Sequence, residues 1–125
     1  MSTVRDVMQG DLLMVEPSTT VIDAARRMFG RRVGSAVVVK SGSVEGIFTE
    51  RDIMRSLAGV ADSGRGSQVA KWMTRSPVTI GPDATVGQAL DTMLGGGFRH
   101  LPVMEGDRLV GIVSMRDLVG SLQRG

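Results

Sequence analysis

Thr49 and Asp52 stand three residues apart at the end of Gly46-Ile47-Phe48-Thr49-Glu50-Arg51-Asp52, and Ser114 and Asp117 repeat the pattern in Gly111-Ile112-Val113-Ser114-Met115-Arg116-Asp117. A short apolar run ending in a hydroxyl, with an acid three residues on, is how a strand hands over to a helix whose first turn needs oxygen acceptors. Such a junction has chemical uses. An ionised carboxylate there can accept both hydroxyls of a vicinal diol, and the exposed amides of the helix start favour phosphate. The same spacing is also an ordinary capping box, which asks for no ligand.

The two copies belong to a longer repeat. An ungapped offset of 65 residues pairs Val4 with Val69, Met8 with Met73, Pro17 with Pro82, Thr20 with Thr85, Met28 with Met93, Val38 with Val103 and Leu57 with Leu122. Two units of roughly 55 to 60 residues account for nearly the whole chain, and units of that size hide only about 60% of their surface alone, so stacking is expected. We place unit 1 at 1–61, a linker at 62–68 around Asp62-Ser63-Gly64-Arg65-Gly66-Ser67, and unit 2 at 69–125.

Composition narrows the function classes. The 125 residues are 42% hydrophobic, enough for a real core, and no apolar run approaches the ~20 residues that span a bilayer. The N-terminus carries no signal-peptide pattern, so a cytoplasmic location and no membrane partner are expected. The absence of cysteine excludes disulfides and thiolate metal sites. No catalytic serine elbow, second histidine or further acid pair is found, so no enzyme and no required cofactor are expected. Only Lys40 and Lys71 of fifteen cations are lysines, and arginine suits phosphate, but the net charge is only +2. With three Phe, one Trp and no Tyr there is no stacking platform, which argues against nucleic acid as a partner.

Within each unit the expected order is strand, helix, strand, strand, helix, an α+β arrangement. Residues 4–8 and 69–73 read as a short lead-in turn or helix, and the apolar runs 12–15 and 78–80 read as strands closed by Pro17 and Pro82. Thr20 and Thr85 cap helices with buried stripes at Val21, Ala24, Met28 and at Val86, Ala89, Met93, expected to end near Gly30 and Gly95. Hairpins 36–48 and 101–113 follow, and second helices start at Thr49 and Ser114. Trp72 is expected to be buried at a seam, and the nine Met to fill cores.

This duplicated order, the signature Gly46, Ile47, Thr49, Asp52 with Gly111, Ile112, Ser114, Asp117, and the strand Arg99-His100-Leu101-Pro102-Val103 resemble the paired CBS domains called a Bateman module, over residues 4–123. The resemblance implies two tandem β-α-β-β-α units about a pseudo-two-fold axis, with two clefts that bind AMP, ADP, ATP or S-adenosylmethionine. One cleft would use Ser114, Asp117 and Ile112, with Arg99 and His100 near phosphate and Leu13 and Val33 against the base. The other would use Thr49, Asp52, Arg51 and Ile47, with Val78 and Phe98 as walls. Where the second copy has Arg99-His100 the first has Gly34-Ser35, so the Asp117 cleft is expected to be the better phosphate site. The implied function is a regulatory module that senses an adenine nucleotide, forms a homodimer and acts on an unidentified regulated protein. The alternative is a structural or oligomerisation module with vacant clefts.

Overall fold

The computed structural model describes residues 2–59 and 66–124, and four of the expected linker residues, 62–65, lie outside them. The chain divides into two compact units, Leu13–Pro77 and a second made of Met1–Leu12 with Val78–Gly125.

In the Leu13–Pro77 unit, β1 (Met14–Val15), α2 (Val21–Arg31), β2 (Ser35–Lys40), β3 (Ser43–Thr49) and α3 (Glu50–Gly59) follow in the expected order. The lead-in of the second repeat, α4 (Val69–Trp72), completes this unit, and β4 (Thr74–Arg75) after it pairs antiparallel with β3 through Gly46–Arg75 and Ile47–Thr74. The sheet order is β1-β2-β3-β4. In the other unit the N-terminal lead-in α1 (Val4–Val7) joins α5 (Val86–Gly96), β5 (His100–Glu105), β6 (Arg108–Ser114) and α6 (Met115–Arg124).

The second unit repeats the first in outline. Val15 pairs with Val38 in a short strand, whereas its counterpart is a single bridge, Ile80 with Val103; likewise Gln9 bridges Ile112 where Thr74 pairs with Ile47. The expected strand at 78–80 is therefore reduced to one bridge. Each lead-in packs in the unit of the other repeat, so the repeat and the compact unit are offset. The Val4 N–H donates to the Ala84 carbonyl at 2.8 Å, and the Val69 N–H donates to the Thr19 carbonyl at the same distance. The end of the expected linker is tied down as well, with the Val21 N–H on the Ser67 carbonyl at 2.8 Å.

That offset explains the glycine of the duplicated motif. A Cβ added to Gly46 would stand 2.8 Å from the Thr74 carbonyl oxygen, and one added to Gly111 would stand 2.9 Å from that of Gln9. Only glycine lets the lead-in backbone lie this close to β3 or β6.

Each unit has its own core. Val21, Ala24, Met28, Val38 and Phe48 close one; Val86, Ala89, Met93, Leu101, Val113 and Leu118 close the other. Burying each of the larger side chains stabilises by about 2 kcal/mol. The capping threonines stand as expected, Thr20 and Thr85 accepting from the Asp23 and Gln88 amides. The helices run through Gly30 and Gly95, however, and end at Arg32 and Gly97, both left-handed with φ of 55° and 72°. A glycine two residues before the real stop fits inside a packed helix at modest cost, and the left-handed residue decides the end. Trp72 is half-buried against the core of the Leu13–Pro77 unit. Met28, Met73 and Met93 fill cores, but Met14 and Met54 are exposed, contrary to the general expectation for methionine. Among the described residues no helix is long and apolar enough to cross a membrane.

Candidate functional site

Each unit builds the same strand-to-helix junction. β2 pairs with β3 so that Ser35 lies opposite Thr49, and β5 with β6 so that His100 lies opposite Ser114. One bond then fastens each helix start to the residue just before the neighbouring strand: the Glu50 N–H donates to the Gly34 carbonyl at 3.1 Å, and the Met115 N–H to the Arg99 carbonyl at 2.8 Å. Thr49, Asp52, Gly34 and Ser35 thus converge in one unit, and Ser114, Asp117, Arg99 and His100 in the other.

Both acids close capping boxes. The Thr49 N–H donates to Asp52 Oδ2 at 2.9 Å, and the Asp52 N–H donates to Thr49 Oγ1 at 3.4 Å. The Ser114 N–H donates to Asp117 Oδ2 at 2.9 Å, and the Asp117 N–H donates to Ser114 Oγ at 3.1 Å. One carboxylate oxygen of each acid is therefore committed to its own helix start. The structural reading of the motif holds in both copies, leaving Oδ1 as the oxygen from which ligand chemistry could proceed.

The surroundings of Oδ1 differ. At Asp52 it receives Arg55 Nη1 at 2.9 Å, and the carboxylate side chain is only 7% exposed. At Asp117 it is met by Gln9 Nε2 at 3.4 Å, a long contact for an N–H···O bond, and the acid is half-buried. Arg55 also approaches the Trp72 carbonyl at 3.4 Å and lies 5.8 Å from the indole centroid, a cation–π distance.

The remaining expected site residues distribute as follows. Ile47 is buried in β3, Ile112 is half-buried in β6, and Arg51, on the first turn of α3, is exposed. Arg99 is exposed and His100 half-buried. Leu13, 4% exposed, and Val33 belong to the Leu13–Pro77 unit and its core. Val78, 42% exposed, and Phe98 belong to the other unit, where Phe98 packs against the core and lies over Gly96.

Residue-level reading missed three participants. Arg55 sits three residues after Asp52, a spacing at which helix side chains meet, and that was the available signal. Glu50 lies over Gly34, where an added Cβ would be 2.7 Å from its Oε1; comparison with Met115 in the other repeat could have singled it out. Gln9 reaches Asp117 across 108 residues with no local signal.

A cavity of ≈ 260 Å³ in the Leu13–Pro77 unit is lined by Met14, Val15, Glu16, Thr19, Arg27 and Val39. It lies toward the Val39 end of β2, away from Ser35 and Thr49, and contains none of the expected site residues. Among the described residues no three His, Asp or Glu side chains stand close enough to share a metal ion.

Comparison with known proteins places these features in a wider group. Residues 4–59 and 68–124 each match the family model of the CBS domain. A 17.7 kDa uncharacterized protein of Acidianus ambivalens is 41% identical over 111 residues, covering 87% of this chain and 66% of that protein. The chain spans only 21% of a CBS domain-containing protein of Arabidopsis thaliana to which it is 33% identical. Among solved structures, a CBS-domain-containing protein of Agrobacterium tumefaciens superposes with a TM-score of 0.90 at 34% identity, over 97% of this chain and 99% of that one. CBSX2 in complex with AMP superposes with a TM-score of 0.85 at 25% identity, over 99% and 98% of the two chains.

Proposed function

This chain belongs to the CBS-domain family, and from that premise we propose that it is a cytoplasmic regulatory module that binds adenosine nucleotides at its strand-to-helix junctions and passes occupancy to a partner. The observation that carries the reading is Asp117. Its Oδ2 holds the cap while Oδ1, on a half-buried acid, makes one long contact with Gln9 that a ribose hydroxyl can replace with a shorter, charge-assisted bond. His100 begins the strand beside it with Arg99 just before, and the first amides of α6 lie at the same junction, which suits phosphate. CBSX2, similar over nearly its whole length, was crystallised with AMP, which supports the same ligand class here.

Occupancy regulates only if the nucleotide binds one arrangement of the protein more tightly than another. The arrangement in question would be the packing of two copies, or the docking of a regulated protein. Helix faces in equivalent places of the two repeats are exposed and apolar, Met54 and Leu57 on α3, Val119 and Leu122 on α6, and each is a face that a second copy could cover. No step in this reading is catalytic.

A second reading is favoured by a specific observation: both acids are engaged in caps, as a purely structural CBS pair requires. That module would dimerise with or without nucleotide. Unfolding followed during titration with AMP, ADP, ATP and S-adenosylmethionine separates the two. A ligand at 100 times its dissociation constant adds about 2.7 kcal/mol to stability. A shift of that order with at least one ligand, lost in Asp117→Asn, is the expected result; no shift with any of the four leaves the structural module.

A further inference from the structure

Among the positions at which the two junctions differ under the 65-residue offset, three change charge, and all three changes act in the same direction. Arg55 corresponds to Gly120, Glu50 to Met115, and Gly34 to Arg99. At Asp52 the oxygen left over from the cap is held by Arg55 at 2.9 Å, on a carboxylate that is 7% exposed. Arg55 also makes a long contact with the Trp72 carbonyl at 3.4 Å and lies 5.8 Å from the indole centroid. In the Asp117 unit the corresponding helix position is glycine, which has no side chain with which to reach the acid.

The phosphate end diverges as well. In the Leu13–Pro77 unit the Glu50 carboxylate is folded onto Gly34, with Oε1 2.7 Å from where a Cβ would stand. An anion therefore lies over the backbone position whose counterpart in the other unit is Arg99, a cation whose carbonyl accepts from the Met115 N–H at 2.8 Å. Arg51 and Arg116 stand at equivalent positions, so the difference for a phosphate is the added acid Glu50 at the Asp52 helix start and the added cation Arg99 at the Asp117 one.

Resting on the proposed function, we infer that the two junctions have become unequal. The Asp117 junction takes phosphorylated adenosine, and the Asp52 junction is closed to it by Arg55 on the diol acceptor and Glu50 at the phosphate end. Arg55 and Glu50 are thus specificity-determining residues that make this duplicated module a single-site nucleotide binder. A ribose at Asp52 would have to displace a charge-assisted bond from a half-exposed arginine, a handicap of up to about fivefold in affinity before the repulsion of Glu50 is counted.

Isothermal titration of the whole chain with AMP reads this directly as the number bound per chain. The expected results are one AMP for the natural sequence, none for Asp117→Asn, and two for the double variant Glu50→Gln with Arg55→Met. Glu50→Gln keeps side-chain length and Arg55→Met keeps an apolar stem without the guanidinium, and the double variant's Asp117 site serves as an internal control for folding. Two AMP on the natural chain, or a double variant that still binds one with its original affinity, overturns the inference alone. Failure of the natural chain to bind any AMP, ADP, ATP or S-adenosylmethionine overturns the proposed function with it.

Discussion

At both strand-to-helix junctions the backbone N–H of a hydroxyl residue donates at 2.9 Å to a carboxylate three residues on, Thr49 to Asp52 and Ser114 to Asp117. The second oxygen of each acid meets a different side chain, Arg55 at 2.9 Å in one unit and Gln9 at 3.4 Å in the other. The backbone part of each junction answers to folding: the cap needs its acid, and the lead-in needs its glycine. The side chains around it are not bound by either need, so they can change without disturbing the frame. A duplicated site can in this way keep its architecture in both copies while its chemistry moves apart.

The frame's sameness is open to the largest test. Gly46→Ala and Gly111→Ala each drive a Cβ into a lead-in carbonyl, and each should cost about 2 kcal/mol of unfolding free energy in denaturant titrations. Unequal costs, with one near zero, would show that the lead-ins do not make equivalent approaches.

Loss of the acids sharpens the difference. Asp52→Ala removes a cap from a buried junction and strands Arg55, and about 2 kcal/mol is expected; Asp117→Ala removes a cap from a half-exposed one, and about 1 kcal/mol is expected. The same denaturant curves would contradict the comparison if that order were reversed. Arg55→Met should cost less than about 1 kcal/mol, because its partner bond is on a side chain 56% exposed and solvent screens it. A loss several times larger would make Arg55 a structural pillar instead of a closure over Asp52.

The smallest effect concerns the lead-in α1. The Thr3 N–H and then the Thr3 hydroxyl, both donating to Asp6, hold its carboxyl below the usual carboxylate range. A depressed folded-state value means that the contribution is complete above the ordinary carboxylate range and is lost as pH falls through the folded value. Two-dimensional NMR should show Asp6 titrating below a free aspartate, with the Thr3 amide moving in step. Titration of Asp6 at the free value would remove this tie.

Much of the fold was legible because its signals are local. Thr20 with Asp23 and Thr85 with Gln88 cap where their types require, and the apolar periods of α2 and α5 fall on the cores. The repeat also exposed the junction residues, since Thr49, Asp52, Ser114 and Asp117 recur in register. What stayed hidden was non-local or stereochemical. β4 is two exposed residues, Thr74 and Arg75, with no apolar alternation to announce a strand, and its partner lies in the other repeat. The end of α2 depends on Arg32 taking a left-handed conformation that its residue type does not favour. Gln9 is brought to Asp117 by the same exchange of lead-ins, so nothing near either residue foretells it. Arg55 was legible in principle from its spacing, but that spacing also fits an idle surface pair.

Amide chemical-shift mapping with AMP puts the central claim to its most direct trial. Nucleotide bound at the Asp117 junction should move the amides of Arg99, Ser114, Met115 and Asp117 in a saturable, dose-dependent way and leave those of Thr49 and Asp52 nearly still. A titration that moves none of these amides, or that moves the Asp52 set first, would contradict the account.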